Sequence, residues 1–88
     1  MEEYKIFFKK SVEKDFEVIP PDYISKILKR IEDLKNEPRP NGSEKLTGLE
    51  LYRIRQGIFR IVYSVQDNEL TIWIVKVAHR KEIYKKIS

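Results

Sequence analysis

Cysteine is absent from the 88 residues and histidine occurs once. Disulfide staples, thiol nucleophiles and clustered His/Cys metal sites are therefore excluded, and a reducing cytoplasm is the expected compartment. Only three glycines and four prolines are present, too few for a fibrous repeat or a low-complexity linker. No apolar run approaches the roughly 20 residues of a membrane span. The opening Met1-Glu2-Glu3-Tyr4-Lys5 lacks the basic and then apolar segments of a secretory signal, so a soluble chain without membrane association is expected. No glycine-rich loop follows a strand-like run, which removes the common nucleotide-binding folds. Neither a metal nor a cofactor is expected. A chain of 88 residues is read as one domain, residues 1–88. A domain of that size buries only about 60–65% of its unfolded surface, so its apolar residues must be placed economically.

Those residues are there: 41% of the chain is hydrophobic and 36% is charged, enough apolar matter for a small core and too much for disorder. The charge is unevenly spread. From Met1 to Glu44 nine Lys and Arg stand against ten Asp and Glu, and from Lys45 to Ser88 nine stand against four, so the halves carry −1 and +5 of the net +4. A basic half on a near-neutral scaffold is the footprint expected of a polyanionic partner, nucleic acid or an acidic polypeptide; the plainer reading is a solvated lysine-rich surface.

Tyr4, Ile6 and Phe8 alternate with Lys5 and Phe7, the period of a strand. Ser11 is then placed to cap a short helix with Val12, Phe16 and Ile19 on one face, ending before Pro20. Pro20-Pro21-Asp22 opens a second helix, since proline is tolerated in a first turn and Asp22 complements the positive end of the helix dipole. Ile24, Ile27, Leu28, Ile31 and Leu34 follow at helical spacing. Pro38-Arg39-Pro40-Asn41-Gly42 stops this helix in a loop. Leu51–Arg55, Ile58–Val65 and Leu70–Ala78 then read as three strands of a meander, with turns at Gln56-Gly57 and Asp67-Asn68. Ile83 and Ile87 suggest a final helical turn or two. The predicted fold is α+β, in the order β-α-α-β-β-β with a short C-terminal helix: a small antiparallel sheet with the two N-terminal helices packed on one face.

With Gln56-Gly57 as the turn, Arg53 faces Arg60 across the hairpin. Alternation puts Arg53, Arg55 and Arg60 on one face, and Tyr52, Ile54, Phe59, Ile61 and Tyr63 on the other, where the helices must pack. The second turn places Val75 opposite Arg60, and by parity His79 joins the arginine face. Two guanidinium groups directly opposite repel by a few tenths of a kcal/mol up to about one. A phosphate between them would compensate, because guanidinium groups offer planar, bidentate donors to its oxygens; divergence into solvent is the alternative. His79 alone carries little weight, since a lone histidine is commonly a packed or surface residue, but Arg80 beside it and the arginine face raise its interest. Trp73 and Tyr63 read most simply as sheet packing, and Tyr84 as either a stacking surface for a base or an anchor for the C-terminal turn.

The string Lys45-Leu46-x-Gly48-Leu49, Tyr52-Arg53-Ile54-Arg55, Gly57-x-Phe59-Arg60-Ile61-Val62-Tyr63 and His79-Arg80-Lys81-x-Ile83-Tyr84 resembles the RelE/ParE toxin superfamily, in particular its RelE branch, over nearly the whole chain. The resemblance implies a toxin of a type II toxin-antitoxin system: a ribosome-dependent endoribonuclease that cuts mRNA in the decoding site, held inactive by a cognate RelB-like antitoxin. It implies catalytic roles for Arg60 at the developing negative charge, Arg80 at the leaving group, Tyr84 in orienting the nucleotide and His79 in proton transfer. Arg53, Arg55, Lys45 and Lys81 would contact the substrate. Arg53 and Arg55 stand where that branch usually has lysines, and because arginine stays protonated they read as phosphate clamps. Two other readings stay open: a ParE-like poison of DNA gyrase without enzymatic activity, and a degenerate domain that only binds its antitoxin.

Overall fold

The alternation of Ile6 and Phe8 with Lys5 and Phe7 builds strand β1 over Lys5–Phe8 in the computed structural model, which describes residues 3–79. Helix α1 follows at Lys10–Glu17 and α2 at Pro21–Asp33; four more strands are β2 (Glu44–Lys45), β3 (Tyr52–Gln56), β4 (Phe59–Gln66) and β5 (Thr71–His79). They form one sheet in the order β1-β5-β4-β3-β2. Every pairing is antiparallel except that of β1 with β5, the first and last strands of the chain, which run parallel. The fold is thus α+β, as expected, with a two-residue strand β2 added at the edge. The expected C-terminal helix around Ile83 and Ile87 lies outside the described residues.

Helix α2 starts as its prolines dictate: Pro20 is the N-cap, Pro21 occupies the first helical position and Asp22 sits in the first turn. Its stripe buries Ile27 and Ile31, continued by Leu34 just beyond the helix, while Leu28 stands at the edge of the stripe and is exposed. Helix α1 differs at its start. Lys9 is the N-cap, no side chain caps the helix, and Ser11 lies inside its first turn. The helix is held instead by its apolar face, with Val12 buried and Phe16 against the core, and by Asp15. The Asp15 carboxylate accepts from Lys76 Nζ at 2.7 Å and from the Val77 backbone N–H at 3.1 Å. Strand β1 stops pairing at Ile74, so without Asp15 the Val77 amide would face a bare sheet edge.

The core lies between the helices and one face of the sheet. Ile54, Ile61, Tyr63, Ile72, Ile74 and Val77 meet Val12, Ile27, Ile31 and Leu34 there, all essentially inaccessible to solvent. The Tyr63 hydroxyl reaches out of this core to donate to the Pro38 carbonyl at 2.7 Å, tying the loop after α2 to the sheet; burial pushes its ionisation up to about 12. The same loop is pinned from outside by Arg39, which makes a two-pronged ion pair with Asp67 (3.2 and 2.8 Å) and donates to the Tyr52 hydroxyl at 3.0 Å.

Two registers depart from the expectation. The hairpin closes at Gln56 opposite Phe59, so its turn residues are Gly57 and Ile58. Gly57 at φ +61° takes the first central position, where the favoured hairpin turns want glycine. Arg55, not Arg53, therefore faces Arg60, and Arg53 faces Val62. Because the pairing slips by an even step, face membership survives. The second departure does change faces. A short 3-10 turn at Asp67–Glu69, closed by Leu70 in the left-handed region at φ +48°, starts β5 in step with β4. Then a bulge shifts the pairing from Tyr63↔Ile74 to Val62↔Lys76, leaving Val75 as the extra residue. Arg60 consequently faces Ala78, and His79 faces Phe59 on the helix side.

Candidate functional site

The sheet face away from the helices carries the arginines. Arg53 and Arg55 project from β3 and Arg60 from β4, with Glu44 of β2 opposite Arg53. A small second apolar cluster, Val62 and Ala78 with Leu46, Leu51 and Val75 against them, floors this face. The three cations are not equivalent. Arg55 is exposed, Arg53 is only 9% exposed, and Arg60 only 3%.

Arg53 is answered by a carboxylate. Its Nη2 donates to Glu44 Oε2 at 2.9 Å, and Glu44 itself is more than half exposed, so this carboxylate can swing away at little cost. Arg60 has no such answer: among the described residues its buried Nε has no hydrogen-bond partner. A buried donor left unmade costs about 1–3 kcal/mol, more on a charged group. Arg55 directly across the ladder adds a second positive charge rather than a negative one. A cation held in that condition, beside another, is able to donate hydrogen bonds to the oxygens of an anion.

The other expected site residues fall as follows. Lys45 pairs with Tyr52 and so belongs by register to the helix side; its Nζ stands 3.7 Å from Glu50 Oε1. The neighbouring Glu44, not Lys45, is the residue that β2 brings to the arginine face. His79 does not join the arginines. Its ring lies 6.3 Å from Phe59 in an edge-to-face arrangement and lines a cleft of about 270 Å³ with Asp15, Val18, Ile19, Val77 and Ala78. The Val75 bulge is the cause. Arg80, Lys81 and Tyr84 lie outside the described residues. Lys76 belongs to the arginine face by register, opposite Val62, but its ammonium is drawn to Asp15. Sequence reasoning missed Glu44, whose two-residue strand has no periodicity to betray it.

A sheet face with clustered guanidinium groups, one of them buried with an unpartnered Nε among the described residues, has the donors to take up an anion. Comparisons with known proteins give the family. The chain belongs to the ParE toxin family of type II toxin-antitoxin systems, part of the RelE/ParE superfamily, whose profile matches residues 6–84. It is 35% identical over 86 residues to a protein named as a candidate toxin, RelE1, of Methanocaldococcus jannaschii, covering 93% of this chain and 96% of that one. It is 28% identical over 87 residues to toxin RelG of Mycobacterium tuberculosis, covering 94% and 98%. Among solved structures, the archaeal RelE-RelB complex from Pyrococcus horikoshii superposes with a TM-score of 0.75 at 31% identity, over 88% of this chain and 94% of the matched one. The protein is a RelE-like toxin of a toxin-antitoxin system.

Proposed function

We propose that this toxin is an endoribonuclease that cuts mRNA on the ribosome without a metal ion. The observation that carries the reading is the buried Arg60, its Nε without a partner among the described residues, beside Arg55 and Arg53 on one sheet face. RNA supplies its own nucleophile. The ribose 2′-oxygen attacks the adjacent phosphorus, the bond from phosphorus to the 5′-oxygen breaks, and a 2′,3′-cyclic phosphate and a free 5′-hydroxyl remain. The pentacoordinate phosphorane between them carries extra negative charge, which a pre-placed guanidinium stabilises better than it stabilises the ground state. Arg60 takes that role, and Arg53 and Arg55 hold the flanking phosphates, Arg53 on release of Glu44. One proton must leave the 2′-hydroxyl and one must reach the departing 5′-oxygen. With His79 on the helix side of the sheet, we assign to Tyr84 both the proton taken from the 2′-oxygen and the proton returned to the departing 5′-oxygen, and to Arg80 the neutralisation of charge at that oxygen, with Lys81 and the rim residue Lys45 adding charge that steers the strand.

Three arginines with no neutral base beside them among the described residues make a poor catalyst for free RNA. The ribosome would supply the in-line geometry that the protein lacks. Relatives crystallised as RelE-RelB complexes support a RelB-like antitoxin as the natural inhibitor, for which an acidic segment over the arginine face is the fitting chemistry. The test is primer extension on messages after induction of the toxin, alongside purified ribosomes with and without it. Discrete cuts within codons that vanish with Arg60→Ala are expected, and cutting of naked and ribosome-bound message at equal rates would contradict the ribosome requirement. The ParE name of the matching family favours a second reading, a gyrase poison; intact messages with DNA damage would decide for it.

A further inference from the structure

The arginine face continues past the arginines. Along β4 the residues on this face run Arg60, Val62 and Ser64, and Ser64 pairs with Trp73, which pairs in turn with Phe7 on β1. Phe7 is 44% exposed and stacks on Trp73 with ring centroids 5.1 Å apart. Lys9 lies over the Trp73 ring at 4.8 Å, and Lys5, exposed, shares the face two residues before Phe7. Large aromatic surface left open on a sheet, flanked by lysines, is costly in water and matches one kind of ligand well. A nucleobase has an apolar π-face for the ring and carries a phosphate for the cations, whereas a purely apolar partner would leave Lys5 and Lys9 without a counter-charge.

We propose that Phe7 and Trp73 form a base-stacking platform for single-stranded RNA, holding a nucleotide away from the one at Arg60. This inference rests on the nuclease reading for its choice of RNA. From Arg60 to Ser64 is four residues of strand, about 13 Å, and Phe7 lies two strands across, about 10 Å, so the two anchors stand roughly 16 Å apart on the sheet, about two or three nucleotides of extended chain. The scissile phosphate at Arg60 and a stacked base on Phe7 are therefore two anchors of one bound strand. Two anchors fix direction and register, which a lone phosphate clamp does not.

Trp73 is the only tryptophan in the chain, so its emission reports on the platform directly. The experiment titrates the full-length protein with a short RNA whose 2′-hydroxyls are methylated and which cannot be cut. Saturable quenching is expected. Phe7→Ala should weaken binding roughly 5- to 100-fold, Phe7→Tyr should retain it, and an abasic nucleotide at the stacked position should reproduce the Ala loss. Phe7→Leu, which keeps apolar volume and removes the ring, separates stacking from any loss of folding. The proposal is overturned if Phe7→Leu and the abasic RNA bind as tightly as their parents, or if an acidic peptide quenches Trp73 where RNA does not. Quenching of this pattern without any cleavage of ribosome-bound message would sink the nuclease reading and leave the platform standing; cleavage that ignores Phe7 would do the reverse.

Discussion

Replacing Arg60 with methionine should make the free protein more stable while removing its capacity to hold an anion. Arg60 is 3% exposed and its Nε has no partner among the described residues. The wild type thus carries the cost of an orphaned buried donor, about 1–3 kcal/mol, and faces Arg55 across the ladder, a like-charge pair worth a few tenths of a kcal/mol to about one. Methionine has a comparable unbranched reach and leaves no large cavity, so both costs disappear while packing against the apolar floor of Val62 and Ala78 is kept. For a domain of this size each kcal/mol moves Tm by about 4–8 °C. A rise of at least about 4 °C is expected by calorimetry in low-phosphate buffer. The order should reverse with ligand: a polyanion such as a non-cleavable oligonucleotide stabilises the wild type by RT ln(1+[L]/Kd), about 2.7 kcal/mol at a hundred times Kd, and should leave the Met variant unmoved. A Met variant that melts lower than wild type without ligand would show that the Arg60 guanidinium is satisfied, and the argument for an externally supplied anion would fail with it.

Glu44→Gln removes the carboxylate that competes for Arg53 at 2.9 Å. Tighter oligonucleotide binding is expected, by less than about tenfold because the Glu44 carboxylate is itself more than half exposed, with a stability change within about 1 kcal/mol; weaker binding in a filter or anisotropy assay would contradict the competition. Asp15→Ala takes the acceptor from both Lys76 Nζ and the Val77 N–H, and chemical denaturation should show a loss of about 3 kcal/mol; a loss within 0.5 kcal/mol, the range of about an ordinary surface change, would mean α1 is held by its apolar face alone. Asp67 is held below its ordinary range first by the hydrogen bonds from Arg39 and then by that from Tyr4. A carboxyl depressed in the folded state stabilises the fold fully above its unfolded value of about 3.9 and gives that stability up as pH falls through the lower folded value. The gap in Tm between wild type and Asp67→Asn should therefore be full at pH 6 and shrink steadily as pH falls below about 4, and a gap independent of pH would remove Asp67 as the titrating group.

The arginine face was legible because it rests on a period of two and on one glycine corner, and an error of one residue in placing the turn changes each partner without changing any face. Helix α2 was legible for a similar reason: Ile27, Ile31 and Leu34 repeat at helical spacing, and Pro21 with Asp22 announces the start. The fate of His79 was not legible. It turns on a single inserted residue, Val75, inside an unbroken apolar run where every neighbour is equally content in a strand, so nothing local marks the bulge. The Ser11 cap failed because Lys9 already takes the extended geometry that precedes the helix, and tertiary contacts from Val12 and Asp15 hold α1 without a capping side chain. Glu44 escaped notice because a strand of two residues has no pattern at all, and the Arg39–Asp67 clamp because it joins residues 28 apart in the chain.

The contact between Asp15 and the Val77 amide has a bearing on how copies of this molecule tolerate one another. It occupies an amide in the stretch of β5 that β1 leaves uncovered; among the described residues the other outer margins are those of β1, four residues, of β2, two residues, and of β3 beyond its pairing with β2. Margins so brief give an intruding chain little template to zip onto. Short margins are poor seeds for lateral fusion into fibres, and one aspartate on a short helix guards part of the longest strand.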